Sequence, residues 1–148
     1  IKSVLDYGGD AGQHIPDFFN DADKVVYDIS SKDAVMGVRK VTSLDNLNVF
    51  DLIINANVLE HMPYPAHFFE EANHLFHENT FLFIDVPYEI NEQNPHPVAF
   101  HEHINFFRPS SIEALLNAHR FKLLKMEKVT IDYGYDIGES IYALAKRK

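Results

Sequence analysis

The first residues able to do chemistry are a glycine-rich turn and the carboxylate that follows it. Asp6-Tyr7-Gly8-Gly9-Asp10-Ala11-Gly12 leaves an apolar run. Glycines there let the backbone double back and approach a ligand with no Cβ in the way. A ligand would sit outside the carboxyl end of the strand, against the N-terminus of the next helix. Asp28 stands roughly 20 residues on, where an acidic group can accept hydrogen bonds from both ribose hydroxyls. A glycine turn alone is common, but a turn followed by Asp28 at this spacing points to a nucleoside.

The chain also carries 9 histidines, which raises the question of a metal. His101 and His103 share one face of an extended segment, and His96 is close in sequence. No carboxylate or third histidine falls at a diagnostic ligand spacing, so no metal is assigned. His61 reads as a cap or wall residue after the strand that precedes it. His14, His67, His74, His77 and His119 read as helix surface or termini. Tyr88 and Glu89 follow a strand end, where substrate groups often sit.

Short apolar runs alternate with helical stretches, the pattern of a mostly parallel sheet covered by helices. Ser3–Tyr7, Lys24–Asp28, Val35–Val41, Phe50–Ala56 and Phe81–Val86 read as strands, the last stopped by Pro87. Ile15, Phe18 and Phe19 recur at helical spacing after the glycine turn, with Pro16 in the first turn. A second helix starts at Pro65 and lines up Phe68, Phe69, Ala72, Leu75 and Phe76; Asn79 is the left-handed residue expected to leave it. Residues 88–105 form a long polar loop of the kind that carries function. Ser110 and Glu113 have capping-box spacing ahead of a third helix. Phe121–Val129 and Ser140–Ala145 read as an antiparallel pair at the sheet edge.

At 148 residues the chain suits one domain, 1–148, and a strand beginning by Ser3 suggests an N-terminally truncated fragment. No apolar stretch approaches the ~20 residues needed to cross a bilayer, and no signal pattern opens the chain. The sequence contains no cysteine, which excludes disulfides and thiolate metal sites and fits a cytoplasmic setting. A net charge of -9 opposes a phosphate-tracking surface. The expected partner is a small molecule, with neither nucleic acid nor membrane; the oligomeric state is left open.

Three separated motifs then carry a resemblance over essentially the whole chain. Val4-Leu5-Asp6-Tyr7-Gly8-Gly9 resembles the first motif of class I S-adenosylmethionine-dependent methyltransferases. Asp51-Leu52-Ile53-Ile54-Asn55-Ala56-Asn57-Val58-Leu59-Glu60-His61 resembles their fourth-strand motif, with Pro65 at the expected distance. His101-Glu102-His103-Ile104-Asn105-Phe106-Phe107, with Arg120-Phe121 after the next helix, is similar to a late stretch in a subfamily that includes sugar C-methyltransferases.

The resemblance implies an α/β, Rossmann-like three-layer sandwich. Its seven-stranded sheet would have the order 3-2-1-4-5-7-6, with strand seven antiparallel. It implies S-adenosyl-L-methionine as cofactor, with Asp6, Gly8, Gly9, Asp10 and Gly12 around its methionine end and Asp28 with Ile29 at the ribose. Ser43, Leu44 or Asp45 would flank the adenine, and Asn57 would lie beneath. It implies a Glu–His pair in the active site, matched by Glu102 and His103, with His103 as general base; the family's tyrosine is Phe100 here. The middle glycine of the first motif is Asp10, whose carboxylate would either face the cofactor's own or turn away. The expected activity is methyl transfer to a small acceptor, a sugar or related metabolite. A nicotinamide dinucleotide-binding domain and an inactive methyltransferase-like binding module are the competing readings.

Overall fold

A computed structural model describes residues 1–89, 102–132 and 137–148; His96, Phe100 and His101 lie outside the described residues. Seven strands, β1 (Ser3–Tyr7), β2 (Asp23–Tyr27), β3 (Arg39–Val41), β4 (Leu52–Ala56), β5 (Phe81–Pro87), β6 (Phe121–Asp132) and β7 (Ile137–Arg147), form one sheet. Their order is β3-β2-β1-β4-β5-β7-β6, as expected. The first five pair in parallel, and β7 runs antiparallel between β5 and β6. The order reverses between β1 and β4, so their carboxyl ends open a crevice there, the place where such sheets bind ligands.

Side chains alternate across each strand, and the two faces are covered differently. On one face Leu5, Val25, Ile53, Leu82 and Ile84 pack against α1 (Ala66–Glu71), the 3-10 turn Ala72–Leu75 and α2 (Pro109–Ala118). Phe68, Phe69, Phe76 and Phe121 meet edge to face in this layer, which adds orientation to the apolar burial. On the other face Val4, Leu52 and Ile54 are covered by Ile15, Phe19 and Ala22 from the segment joining β1 to β2.

That segment is not the expected helix. It is a run of tight turns, closed by Ile15 N–H on Gly12 O, Phe19 N–H on Pro16 O and Ala22 N–H on Phe19 O. Pro16 offers no N–H, and Asp17, Asn20 and Asp21 favour turns by competing for backbone groups, so a short helix is not nucleated. Ile15 is buried, whereas Phe18, expected on the same face, is 76% exposed.

Smaller departures have local causes. β3 starts at Arg39 rather than Val35, because Val35 donates its N–H to Ala11 O in the glycine turn. β5 runs through Pro87, which suits a position that needs no ladder donor. Asn79 does not adopt a positive φ; the chain leaves α1 through the 3-10 turn and an extended Phe76. The α2 cap is two residues earlier than expected, with Arg108 N–H donating to Ser111 Oγ and Pro109 opening the helix. No helix among the described residues is long and apolar enough to cross a membrane.

Candidate functional site

The end of β1 is built around one buried acid. Asp6 is 1% exposed, and its Oδ2 has no hydrogen-bond partner among the described residues. Burial first, then the nearby Asp28 charge, push its carboxyl up to about 7. Gly8 has φ 74 and donates its N–H to Tyr27 O at 2.7 Å; a side chain there would strike Val58 Cγ2 at 2.6 Å. Gly9 is small for another reason, since a Cβ would be driven into the Asp6 carboxylate. Gly12 closes the turn by donating to Gly9 O at 2.8 Å. Gly9→Ala is therefore expected to lower stability by roughly 1–3 kcal/mol through overpacking, read as a fall in Tm. An unchanged Tm would show that Asp6 has room to move.

Asp10 fills the family's glycine position by adopting that residue's backbone conformation, with φ 55, which aspartate tolerates better than most side chains. Its carboxylate turns onto Lys32 Nζ at 2.7 Å and Ser30 Oγ at 3.0 Å. Those contacts, Lys32 first, hold its carboxyl below the usual range. Lys40 Nζ completes the brace, donating to Asp10 O, Ser30 Oγ and Lys32 O. Asp28 lies inside this loop. Its carboxylate accepts from Asp10 N–H at 3.0 Å and Ser30 N–H at 2.7 Å. Burial raises its carboxyl, and the Ser30 and Asp10 hydrogen bonds outweigh that, leaving it below the ordinary value and ionised. With one backbone donor on each oxygen, a carboxylate keeps lone pairs for further donors.

The remaining nucleoside-side residues divide. Ile29 is 86% exposed beside Asp28, an apolar surface suited to a ring. Ser43 is exposed and exchanges hydrogen bonds with Asp45. The Leu44 side chain is buried in the core, so only its backbone could face adenine. Asn57, at the end of β4, has φ 55 and donates its N–H to Asp85 O at 2.9 Å. A cavity of about 380 Å³ opens beside it, walled by Phe18, Phe19, Phe83, Asp85 and Tyr142; Asp6, Asp28 and His103 do not line it. Asp85, also buried, has its carboxyl raised to about 6 by burial, partly offset by Ser140.

Raised folded-state values fix the sign of a pH effect. From about pH 4 up to about 7 for Asp6 and about 6 for Asp85, the folded groups hold protons that the unfolded chain has released, so their contribution is present at low pH and lost as pH rises. The ligand-free protein should lose on the order of 4 kcal/mol from these two groups between pH 5 and 8. Asp6→Asn should remove most of that slope in thermal unfolding. A slope unchanged in Asp6→Asn would contradict the assignment.

On the other side of the crevice, Val58, which a side chain at Gly8 would strike, leads into the 3-10 turn Leu59–His61. The segment after residue 101 is clamped onto it. Ile104 and Asn105 N–H both donate to Glu60 O, Asn105 Nδ2 donates to Leu59 O and Met62 O, and His61 Nδ1 bonds Glu102 O at 2.8 Å. His103 is thereby set edge-on to His61, ring centroids 4.9 Å apart. The carboxylate that pairs with His103 is not Glu102, whose residue is exposed, but Glu89, with Oε2 2.9 Å from Nδ1. Glu60 lies 1% exposed, with no hydrogen bond to either carboxylate oxygen from the described residues; burial raises its carboxyl, with His61 and His103 acting the other way. Glu60, His61 and His103 each offer one donor atom within 4.8 Å of the others. Spacing along the chain hid this trio, because the third member joins only through the clamp.

This geometry can be set beside known proteins. A methyltransferase-domain family model matches residues 2–126. The chain is similar to Burkholderia thailandensis 1,6-didemethyltoxoflavin-N1-methyltransferase, solved with 1,6-didemethyltoxoflavin and S-adenosylhomocysteine. That match has 17% identity and a TM-score of 0.75, covering 99% of this chain and 71% of that one. It is also similar to an S-adenosylmethionine-dependent methyltransferase of Methanosarcina mazei, with 12% identity, TM-score 0.75, and 98% and 92% of the two chains covered. The [4+2]-cyclase SpnF shares the fold at 14% identity and TM-score 0.73, with 98% and 75% covered. Among curated proteins no sequence matches.

Proposed function

The chain belongs to the methyltransferase-domain family, as a class I S-adenosylmethionine-dependent methyltransferase, and we propose that residues 1–148 form one such domain acting on a small acceptor presented to His103. The observation that carries the site assignment is the buried Asp6 carboxylate, whose Oδ2 has no partner among the described residues, beside a turn braced around Asp28. A buried acceptor without a partner is costly unless a ligand donor meets it. The residues fit: Asp6 would receive the cofactor's amino group, Asp28 the ribose hydroxyls, and Ile29 with Ser43 and the Leu44 backbone the adenine. Asn57 would lie below. Gly8, Gly9 and Gly12 keep the turn close, while Asp10, engaged by Lys32, braces the ribose loop and leaves the cofactor's carboxylate unopposed.

The cofactor supplies a methyl group on a positive sulfonium, so the protein's part is alignment, proton handling and exclusion of water. His103 takes the acceptor's proton or orients it, and the exposed Glu102 serves through its carbonyl on His61. A sugar or related polar metabolite suits a proton-accepting imidazole, and the 1,6-didemethyltoxoflavin bound by the Burkholderia neighbour supports a small acceptor. Fold alone would not decide this, since a cyclase shares it. Calorimetric titration tests the reading: S-adenosylhomocysteine should bind one per chain, and NAD should not. Binding of NAD alone would favour the dinucleotide reading, and binding of neither an inactive module.

A further inference from the structure

We infer that Glu89 is the positioning residue for His103: it holds the Nδ1–H of the imidazole and so fixes the lone pair on Nε2. The inference rests on His103 handling the acceptor's proton. Which ring nitrogen carries the proton in a neutral histidine is set by the hydrogen bond the other makes. Free imidazole side chains favour the Nε2–H form, so a base that works through Nε2 needs an acceptor on Nδ1. Glu89 Oε2 stands 2.9 Å from His103 Nδ1, and the two side chains are only 15% and 18% exposed. A carboxylate–imidazole bond of this length, largely shielded from water, is short and directional.

Both partners are anchored on separate parts of the frame. Glu89 leaves β5 just after Pro87, and the intervening Tyr88 donates its N–H to Glu139 O at 2.8 Å while its ring lies 4.7 Å from Lys128 Nζ. His103 is fixed by the clamp of Glu102, Ile104 and Asn105 on Leu59–Met62. The contact therefore joins the end of β5 to the segment clamped on the turn after β4, on one side of the crevice. Glu102, which the resemblance pairs with His103, is exposed, and the carboxylate on the His103 ring is that of Glu89.

The test is the tautomer of His103, read from its ring nitrogen resonances in the full chain at a pH where the ring is neutral. Wild type and Glu89→Gln, which keeps an acceptor oxygen, should be mainly Nδ1–H. Glu89→Leu should invert the ratio by about tenfold or more toward Nε2–H, and Glu102→Gln should leave it unchanged. An Nε2–H ring in the wild type overturns the inference without any variant, as does a ratio that follows Glu102 rather than Glu89. Titrating S-adenosylhomocysteine into the same samples keeps the two readings apart. Wild type and Glu89→Leu should bind it alike, and a wild type that binds none sinks the cofactor reading while the tautomer still decides this one.

Discussion

Asp28→Ala is expected to weaken S-adenosylhomocysteine binding by about 100-fold or more, close to 3 kcal/mol. The magnitude follows from two ribose hydroxyls donating to one ionised carboxylate, where charge-assisted bonds are worth roughly 1.5–3 kcal/mol each. Asp28 also organises its loop through Asp10 N–H and Ser30 N–H, so alanine removes ligand contacts and loosens the turn together. Two further variants separate these. Asp28→Asn keeps an acceptor oxygen and loses the charge, and should fall between, near tenfold. Lys40→Met removes the brace that ties Asp10, Ser30 and Lys32 together but no proposed ligand contact, and should cost less than Asp28→Ala. Equal affinities for wild type and Asp28→Ala would remove the ribose from this loop.

His103→Ala is expected to reduce methyl transfer by roughly 10²–10⁴-fold, the range over which a positioned general base contributes. The measurement is conversion of S-adenosylmethionine to S-adenosylhomocysteine in the presence of sugars or a metabolite extract. Affinity for S-adenosylhomocysteine should stay within about twofold, because in the proposed site His103 serves the acceptor and acts only on the developing nucleophile. Loss of both binding and turnover would mean that the clamp of residues 102–105 on Leu59–Met62 holds the cofactor crevice itself. Retention of full turnover would return His103 to a packing role.

The sheet was legible because its signals are local and repeated. Ser3–Tyr7 and Phe81–Val86 are apolar runs bounded by glycine or proline, and their alternation with helical stretches leaves few topologies. The segment after the glycine turn was misread for a physical reason: Ile15, Phe18 and Phe19 imitate a helical stripe, while Pro16, Asp17, Asn20 and Asp21 oppose one and prevail. Asp6 and Asp28 were legible because a turn and a carboxylate on consecutive parallel strands must meet at one edge. Asp10 was legible as a departure from pattern, but its rescue by Lys32 and Lys40 depends on a loop path that no spacing rule supplies. Glu89 was visible only as a residue after a strand. Its pairing with His103 joins positions 14 apart through two independently anchored segments, whereas the resemblance pointed to Glu102. Glu60 carried a signal in Val58-Leu59-Glu60-His61, yet its burial, with no side-chain partner among the described residues, emerges only from packing.

A crystal structure of the protein with S-adenosylhomocysteine bears most directly on the central assignment. The nucleoside should lie at the carboxyl ends of β1 and β2, with both ribose hydroxyls within hydrogen-bond distance of Asp28 and the ligand's amino group on the Asp6 carboxylate. A ligand seated in the cavity beside Phe83 and Asp85, with Asp6 still lacking a partner, would contradict it.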